Sequence, residues 1–530
     1  MSNEHICDAT TEEVQKENSL LRKENAELTT KLNWFMEQFN LNQQRRFGSS
    51  SEQTMSEQLN LFNEAESETK PDLVEPTIEE IIYKRKKKIG KRDIQLEDLP
   101  TETIDYKLLD EQRVCACCGG KLHEMSTQVR RELKIVPAQF SVINHVQYIY
   151  ACRNCEREEM NTPIITVPMP KPVIPGSLAS PSTIAHVISQ KFVEGMPLYR
   201  QEKQFERLGV EISRQTLANW MIQSSQRWLC TIYDRMKEHL IKKDILHADE
   251  TTLQVLNEPD RPADSKSYMW LYRTGRDGPP IILFDYQTTR AGKHPERFLS
   301  CFKGYLHVDG YAGYNVLSGV ILVACWAHAR RKFNEALQAL PVNKRDLPGV
   351  TKEGINFCNQ LFTIERDLKE STSEQRYDGR RERSRPVLDA FLVWLKYQRP
   401  RVLPKSAFGI AIQYCLNQWD KLGSFMLDGR LEIDNNRAER SIKPFVIGRK
   451  NWLFSNSMRG ASSSATIYSI VETAKENGLN PFMYLKYLFE KLPNMDLDNK
   501  NEIDNILPWS ADLPENCKVK KGANLSILVL

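Results

Sequence analysis

Residues 244–251 read DILHADET, and four further apolar segments follow: SYMWLYRTG (267–275), PIILFDY (280–286), GYLHVDGY (304–311) and VILVACWAH (320–328). Each is a short run of β-branched, aromatic and aliphatic side chains bounded by Gly, Pro or charge, which is the signature of a strand. A helical stretch, AGKHPERFLS (291–300), separates the third strand from the fourth. Three strands, a helix, a strand, a short connection and a strand is the order of an RNase H-like mixed sheet. In that order Asp249 closes the first strand and Asp309 closes the fourth, and if both strands are central and parallel the two carboxylates face one site. Such a pair repels unless a cation sits between them, so two aspartates with a third acid form an oxygen-rich pocket for Mg²⁺ or Mn²⁺. Two such ions suit in-line displacement at a phosphodiester.

The third acid must come from farther along, because residues 329–431 read as a helical insertion. Ile355, Cys358, Leu361, Phe362 and Leu368 form one apolar stripe, and Val387, Leu388, Phe391, Leu392 and Leu395 another. Beyond it, in IDNNRAERSIKPF (433–445), Glu439 stands near the start of a helix beginning at Asn435 or Asn436. Asn436-x-x-Glu439 fits a capping box equally well, a role that needs no metal. His247 and His307 each precede an aspartate by two residues and share its strand face, either as partners of the carboxylates or as buried packing. His328, Arg330 and Arg331 follow the fifth strand, where the arginines contact either phosphate or solvent. In GRKNWLF (448–454), Arg449, Lys450 and Trp452 interleave cations with an aromatic, which suits a DNA strand, although Trp452 is equally a core residue.

On the N-terminal side, residues 175–243 read as helical. Leu198–Phe205 forms one helix, Gly209 stops it, and Ser213 caps the next, with Ile212 and Leu217 as the staple across the cap. That is a helix-turn-helix-like segment, whose second helix carries Arg214, Gln215 and Asn219 toward a major groove or into ordinary helix packing. In residues 109–160, Cys115 and Cys118 precede two glycines and pair with Cys152-x-x-Cys155 across 33 residues, a spacing that suits a closed four-thiolate structural Zn²⁺ site in a small β-ribbon. Cys117 can replace either neighbour.

Residues 49–108 form a linker of two charge signs. Residues 52–80 carry nine acids against Lys70 alone, and 84–92, KRKKKIGKR, packs seven basic residues into nine positions. Lys84, Arg85, Lys86, Lys87 and Lys88 either neutralise DNA phosphates without reading sequence or offset the acidic run. In residues 1–48, Val14, Leu21, Leu28 and Phe35 recur every seventh residue, followed four positions later by Asn18, Asn25, Leu32 and Phe39. This leucine-zipper-like heptad has Asn at two a positions, which favours a parallel dimer, and Glu17 meets Arg22 of the second copy; the alternative is a lone amphipathic helix.

The whole chain of 530 residues has 73 basic and 69 acidic side chains, a net +4, so the distribution of charge informs more than its sum. Its longest apolar run, 316–326, is too short to cross a bilayer, and the first residues lack a signal peptide's basic and apolar regions, so a cytoplasmic protein with no membrane partner is expected. Twelve cysteines are too sparse for a disulfide scaffold.

HADET around Asp249, DGYAGYN from Asp309, CWAHARRKF at 325–333, NNRAER around Glu439 and GRKNWLF together resemble the insertion sequence 66 family of DDE transposases. The likeness extends to the zipper, the RRFGSSSE phrase at 45–52, the cysteine ribbon and the closing ILPWS at 506–510. It implies a bacterial mobile-element transposase whose Mg²⁺- or Mn²⁺-binding triad is Asp249, Asp309 and Glu439. It further implies binding to inverted-repeat ends, hydrolysis to free a 3′-hydroxyl and attack of that hydroxyl on target DNA. The implied partners are DNA, further copies of the chain as a homodimer or higher synaptic assembly, and small accessory proteins of the same element, at the nucleoid when DNA is bound.

The expected architecture is thus α/β and multidomain: an N-terminal coiled-coil helix, a small four-cysteine zinc ribbon, a helical DNA-binding segment, an RNase H-like mixed-sheet core over 244–465 with its helical insertion, a C-terminal helical element over 466–512 and a tail over 513–530. The rival functions are a non-catalytic DNA-binding regulator descended from a transposase, against which the three acids weigh, and a nuclease without strand transfer. RGASSSA (459–465) departs from the family's pattern with a serine run, and the tail beyond Trp509 lies outside the resemblance.

Overall fold

The computed structural model describes residues 15–25, 27–29, 31, 32, 35, 36 and 39, then 139–151 and 164–519 except 346. The four zinc-ribbon cysteines Cys115, Cys118, Cys152 and Cys155, the basic residues Lys84 to Lys88 and the C-terminal end of the tail lie outside the described residues. By contacts the chain divides into two units, residues 1–48 with 145–518 and residues 49–144 with 519–530. In the first unit, the described N-terminal residues are helical and leave Leu21, Leu28, Leu32, Phe35 and Phe39 exposed. A two-stranded antiparallel ribbon, β1 (Ile149–Ala151) and β2 (Ile164–Thr166), comes next.

Helix α1 (Pro181–Phe192) starts at a Ser180 cap, and α2 (Leu198–Arg207) ends at Gly209, whose φ of +82° is the left-handed turn a side chain would resist. Ser213 then accepts a bond from the Thr216 amide and opens α3 (Arg214–Ser224), which runs through one wide π-helical turn into α4 (Cys230–Leu240). Leu217 is fully buried, and Ile212, the other member of the expected staple, is partly buried against the same core.

The central sheet has six strands: β3 (Ile245–Asn257), β4 (Lys266–Thr274), β5 (Ile282–Gln287), β6 (Gly304–Val308), β7 (Val320–Ala324) and the short β8 (Ser455–Ser457). Their order is β5-β4-β3-β6-β7, with β8 added alongside the far end of β3. β3, β4 and β5 form an antiparallel meander, while β3, β6 and β7 run parallel. A short helix, α5 (Lys293–Phe298), makes the crossover to β6. The mixed sheet therefore matches the expected succession of elements. One detail differs: Asp249 does not close its strand. β3 continues eight residues further, because apolar Leu253 and Val255 keep the alternation going and pair first with β4 and then with β8.

The insertion is helical: α6 (Trp326–Ala339), α7 (Val350–Asp367), α8 (Ser373–Gly379), α9 (Arg385–Gln398), α10 (Ala407–Asn417) and α11 (Trp419–Gly423). Its first helix begins three residues before the expected boundary. Cys358, Leu361, Leu388, Phe391 and Leu395 from the two expected stripes are buried in a core separate from that of the outer sheet, with Trp326, Phe333 and Phe425. The buried guanidinium of Arg380 spends its donors on Glu365 and on the carbonyls of Phe425, Asp428 and Leu431, and so fixes the chain on its way back to the sheet.

That return leads into α12 (Asn436–Trp452), and β8 then leads to α13 (Met458–Glu476). α13 covers the edge strand β5. The Thr473 hydroxyl takes the Ile282 amide at 3.0 Å and the Ser469 hydroxyl takes the Phe284 amide at 2.8 Å, so the edge has few free donors. The serine run lies on this helix, where Ala461, Ser463 and Ala465 are buried and their small size permits close packing. The expected division at 465/466 falls inside α13, which is continuous. α14 (Pro481–Lys491) packs on α1 and α15 (Lys500–Asp504) on α4.

Candidate active site

β3 and β6 pair in parallel with His247 opposite His307, so Asp249 and Asp309, each two residues on, emerge side by side. Asp249 accepts the Glu250 amide at 2.8 Å, and Asp309, one residue past the end of β6, accepts the Tyr311 amide at 2.9 Å. The insertion steadies the second loop: the Tyr414 hydroxyl of α10 donates to the Asp309 carbonyl at 3.0 Å. It comes so near Gly310, at φ +94°, that a Cβ there would lie 3.0 Å from the same oxygen.

Glu439 enters from the first turn of α12, and Asp249, Asp309 and Glu439 line one cavity of about 320 Å³ with His328, Arg331, Asn435 and Lys443. The capping-box reading of Glu439 does not hold. The helix is capped by position at Asn435, no side chain makes a capping bond, and Asn436 bonds to Asp434. Glu439 Oε1 is buried without a hydrogen-bond partner; His328 Nε2 stands 3.9 Å from it, and the Arg331 guanidinium 4.0 Å from Oε2. Asn435 instead joins α12 to β3: its Nδ2 donates to the Ala248 carbonyl at 2.8 Å, its Oδ1 lies 2.9 Å from His247 Nδ1, and its amide donates to Cys325 Sγ at 3.2 Å. These three bonds set Glu439 against Asp249 across 190 residues of chain.

Beneath the acids, His247 and His307 are fully buried and stacked, ring centroids 4.2 Å apart. Burial holds both imidazoles neutral, lowering His247 to about 4 and His307 well below its ordinary value. They are packing residues under the aspartates. Burial pushes the Asp249 carboxyl well up, and Glu250, Asp309 and Glu439 reinforce the shift. Burial, then the charge of Asp309, also raises Glu250. Cys325 is pushed up to about 12 by burial, which leaves its thiol protonated and a poor nucleophile.

Three charged residues that sequence reading did not single out, Glu250, Arg290 and Lys443, belong to this site. Glu250 turns inward, accepts the Tyr314 hydroxyl at 2.6 Å and pairs with Arg290. Arg290 lies over the Tyr311 ring at 3.8 Å with its guanidinium 3.8 Å from Asp309 Oδ2. Lys443 reaches the cavity one turn after Glu439. The one signal in the sequence was the adjacent Asp249-Glu250 pair, since a second acid close to a first raises a carboxyl pKa unless a cation offsets it.

The expected DNA contacts divide. Arg331 lines the cavity, whereas Arg330 is turned away to Asn359 at 2.7 Å. Arg214, Gln215 and Asn219 are exposed on α3. Arg449 bonds the Thr251 and Thr252 hydroxyls at 3.3 and 3.2 Å, two and three residues beyond Asp249, and Lys450 is exposed. Trp452 packs edge-on against Phe445, 5.6 Å away, and belongs to the core. Among the described residues no helix is long and apolar enough to cross a membrane.

Comparison with known proteins agrees with this arrangement. Residues 176–463 match the model described as transposase IS66 family, 112–156 the zinc-finger binding domain of transposase IS66, 469–509 the IS66 C-terminal element, and 34–104 the model described as transposase C of IS166 homeodomain. The zinc-finger match contains the two Cys-x-x-Cys pairs. Two uncharacterized proteins of Sinorhizobium fredii (strain NBRC 101917 / NGR234) are similar over most of their length. y4jD is 31% identical over 430 residues, 78% of this chain and 81% of its own, and y4hP is 28% identical over 433 residues, 78% and 75%. The sheet, the insertion and the acid-lined cavity all fall within the span of the longest match, and the chain belongs to the IS66 family of transposases.

Proposed function

We propose that this transposase binds the inverted-repeat ends of its element and performs DDE-type DNA cleavage and strand transfer on an RNase H-like core, with Asp249, Asp309 and Glu439 as its metal-binding triad. The observation that carries the reading is the convergence of three carboxylates from β3, the end of β6 and α12 on one cavity, with Glu439 Oε1 buried and unpartnered. An acid drawn that close to two others without a hydrogen bond is unfavourable in the bare protein and suits a cation. Mg²⁺ or Mn²⁺ bound there would activate an attacking oxygen and stabilise a leaving one at phosphorus. Arg331 and Lys443 at the cavity and Arg290 beside Asp309 place positive charge where the phosphates of a bound strand lie.

Binding is assigned to other surfaces. Arg214, Gln215 and Asn219 on α3 face a groove, and Arg449 and Lys450 follow the backbone leaving the cavity. Lys84 to Lys88 add affinity that is blind to sequence. Cys115, Cys118, Cys152 and Cys155 hold a structural Zn²⁺ that shapes the ribbon, and the exposed heptad positions of the N-terminal helix close on a second copy of the chain.

The test is cleavage of labelled DNA carrying the gene's own flanks, with Mg²⁺ or Mn²⁺, by the wild type and by Glu439→Gln. The amide is a poor ligand of the same shape, so cutting by the wild type and loss of cutting in a folded variant is expected. Equal cutting by both removes Glu439 from the triad. Specific binding with no cutting by either favours the regulator reading.

A further inference from the structure

Beside the acid-lined cavity lies a second ligand set of different chemistry, of which His328 and Glu439 line the cavity and Cys325 is buried behind it. Cys325 lies between β7 and α6, His328 one turn along α6, and Glu439 reaches across from α12. One ligand atom of each lies within 4.8 Å of the others, and His328 Nε2 is 3.9 Å from Glu439 Oε1. A tetrahedral zinc ion, with sulfur at about 2.3 Å and nitrogen or oxygen at about 2.0–2.1 Å, keeps its ligand atoms roughly 3.3–3.6 Å apart. The three side chains need to close by only about an ångström to reach that spacing.

Two features show a site ready for a ligand. Glu439 Oε1 is buried with no hydrogen-bond partner. The Asn435 amide points at Cys325 Sγ from 3.2 Å, the kind of donor that supports a metal-bound thiolate.

We propose that Cys325, His328 and Glu439 form a site for a thiophilic divalent ion of the zinc class, separate from the oxygen-ligand triad but sharing Glu439 with it. Thiolate and imidazole select Zn²⁺ or Co²⁺ over Mg²⁺, whereas three carboxylates suit Mg²⁺ or Mn²⁺. On binding, the thiol proton leaves to solvent and the ion takes its place on sulfur. Because one carboxylate serves both sites, a zinc-class ion withdraws Glu439 from Asp249 and Asp309. That consequence rests on the proposed chemistry; the ion binding itself does not.

Cobalt is the probe, since its bond to thiolate absorbs in the near ultraviolet and its visible bands report tetrahedral geometry. The metal-stripped full chain is titrated as wild type, Cys325→Ser, His328→Gln and Glu439→Gln, all with the ribbon cysteines intact, so that the difference between proteins isolates this site. The wild type is expected to bind one more equivalent of Co²⁺ than each variant. His328 and Glu439 are partly exposed, so their variants keep the fold even if Cys325→Ser does not. Equal stoichiometry in the wild type, His328→Gln and Glu439→Gln overturns the proposal, and so does a loss confined to Cys325→Ser. Cleavage with Mg²⁺ and no cobalt is scored separately: an extra cobalt equivalent without Mg²⁺-dependent cleavage upholds this site and counts against the proposed cleavage chemistry, while cleavage without the extra equivalent does the reverse.

Discussion

Glu432 and Glu439 stand seven residues apart on one segment, and their surroundings are opposite. Glu432, in the return from the insertion, receives two bonds from Arg437 at 3.1 and 2.7 Å and has His247 Nε2 at 3.4 Å. Burial alone would raise its carboxyl, but the Arg437 bond and the charges around it hold it well below the usual carboxylate range. Glu439 lies one turn into α12 with one oxygen buried and unpaired, and the nearest guanidinium among the described residues, that of Arg331, is 4.0 Å from its other oxygen. One carboxylate is already satisfied by the protein and joins two halves of the fold. The other is kept unsatisfied in a cavity that holds two further acids. Family membership does not separate these roles; the hydrogen-bond accounting does.

The comparison is broken most sharply at the acids of the cavity. Asp309→Asn is expected to reduce metal-dependent DNA cleavage by about 10³-fold or more, through loss of several kcal/mol of charge stabilisation, with little change in the denaturation midpoint. Glu432→Ala is expected to do the converse, lowering the unfolding free energy by about 3 kcal/mol, because Arg437 is left as an unpaired, mostly buried charge. Urea denaturation of both variants checks the contrast. A destabilised Asp309→Asn beside an unaffected Glu432→Ala would invert the assignment.

Metal binding sharpens it further. An ion that binds only the folded chain adds about 2.7 kcal/mol at a hundred times its Kd, so Mg²⁺ or Mn²⁺ is expected to raise the wild-type Tm. Asp249→Asn is expected to raise the Tm of the metal-free protein by a few degrees, since it removes a carboxyl already strained by burial and by its acidic neighbours, and to abolish the metal-induced increment. Calorimetry with and without the ion decides both halves.

Much of this was legible in the sequence, for reasons particular to each element. Short apolar strands in a distinctive order gave the sheet, and the two-residue offset from His247 and His307 put both aspartates on one face. The end of β3 was misread because the alternation at Leu253 and Val255 passes through polar Thr251, Thr252 and Gln254, which look like a loop until β4 pairs with them. The capping box matched by spacing but failed because the helix starts one residue later than that box needs, with Asn435 at the cap and the Asn436 side chain bonded to Asp434, while the Asn435 side chain is drawn onto β3. No local pattern shows a bond across 187 residues. Arg290 was hidden for the same reason: it matters through Glu250, forty residues earlier. The serine run departs from the family's pattern in sequence, and only the fold shows Ser463 buried on α13, the helix whose Ser469 and Thr473 bond the edge strand β5.

The smallest effect extends the comparison to a buried cation. The Lys191 ammonium lies 5.7 Å from the centroid of the Phe192 ring and 5.5 Å from that of Trp452, where burial draws its pKa down to about 8. The aromatic faces return part of the lost hydration, less than a carboxylate would. Near pH 7 the amine is charged in both folded and unfolded chains, so the folded state bears the full burial cost. Between about pH 8 and 10.5 the folded chain has lost the proton and the unfolded chain has kept it, so stability rises with pH across that window. Lys191→Met keeps the length of the side chain without the charge, and is expected to raise the Tm at pH 7 by about a degree or two, an advantage that shrinks toward pH 10.5. Thermal denaturation of both proteins from pH 7 to 10.5 is the measurement. A variant advantage independent of pH would mean that Lys191 costs stability through packing rather than charge, and would remove it from the comparison with the acids of the cavity.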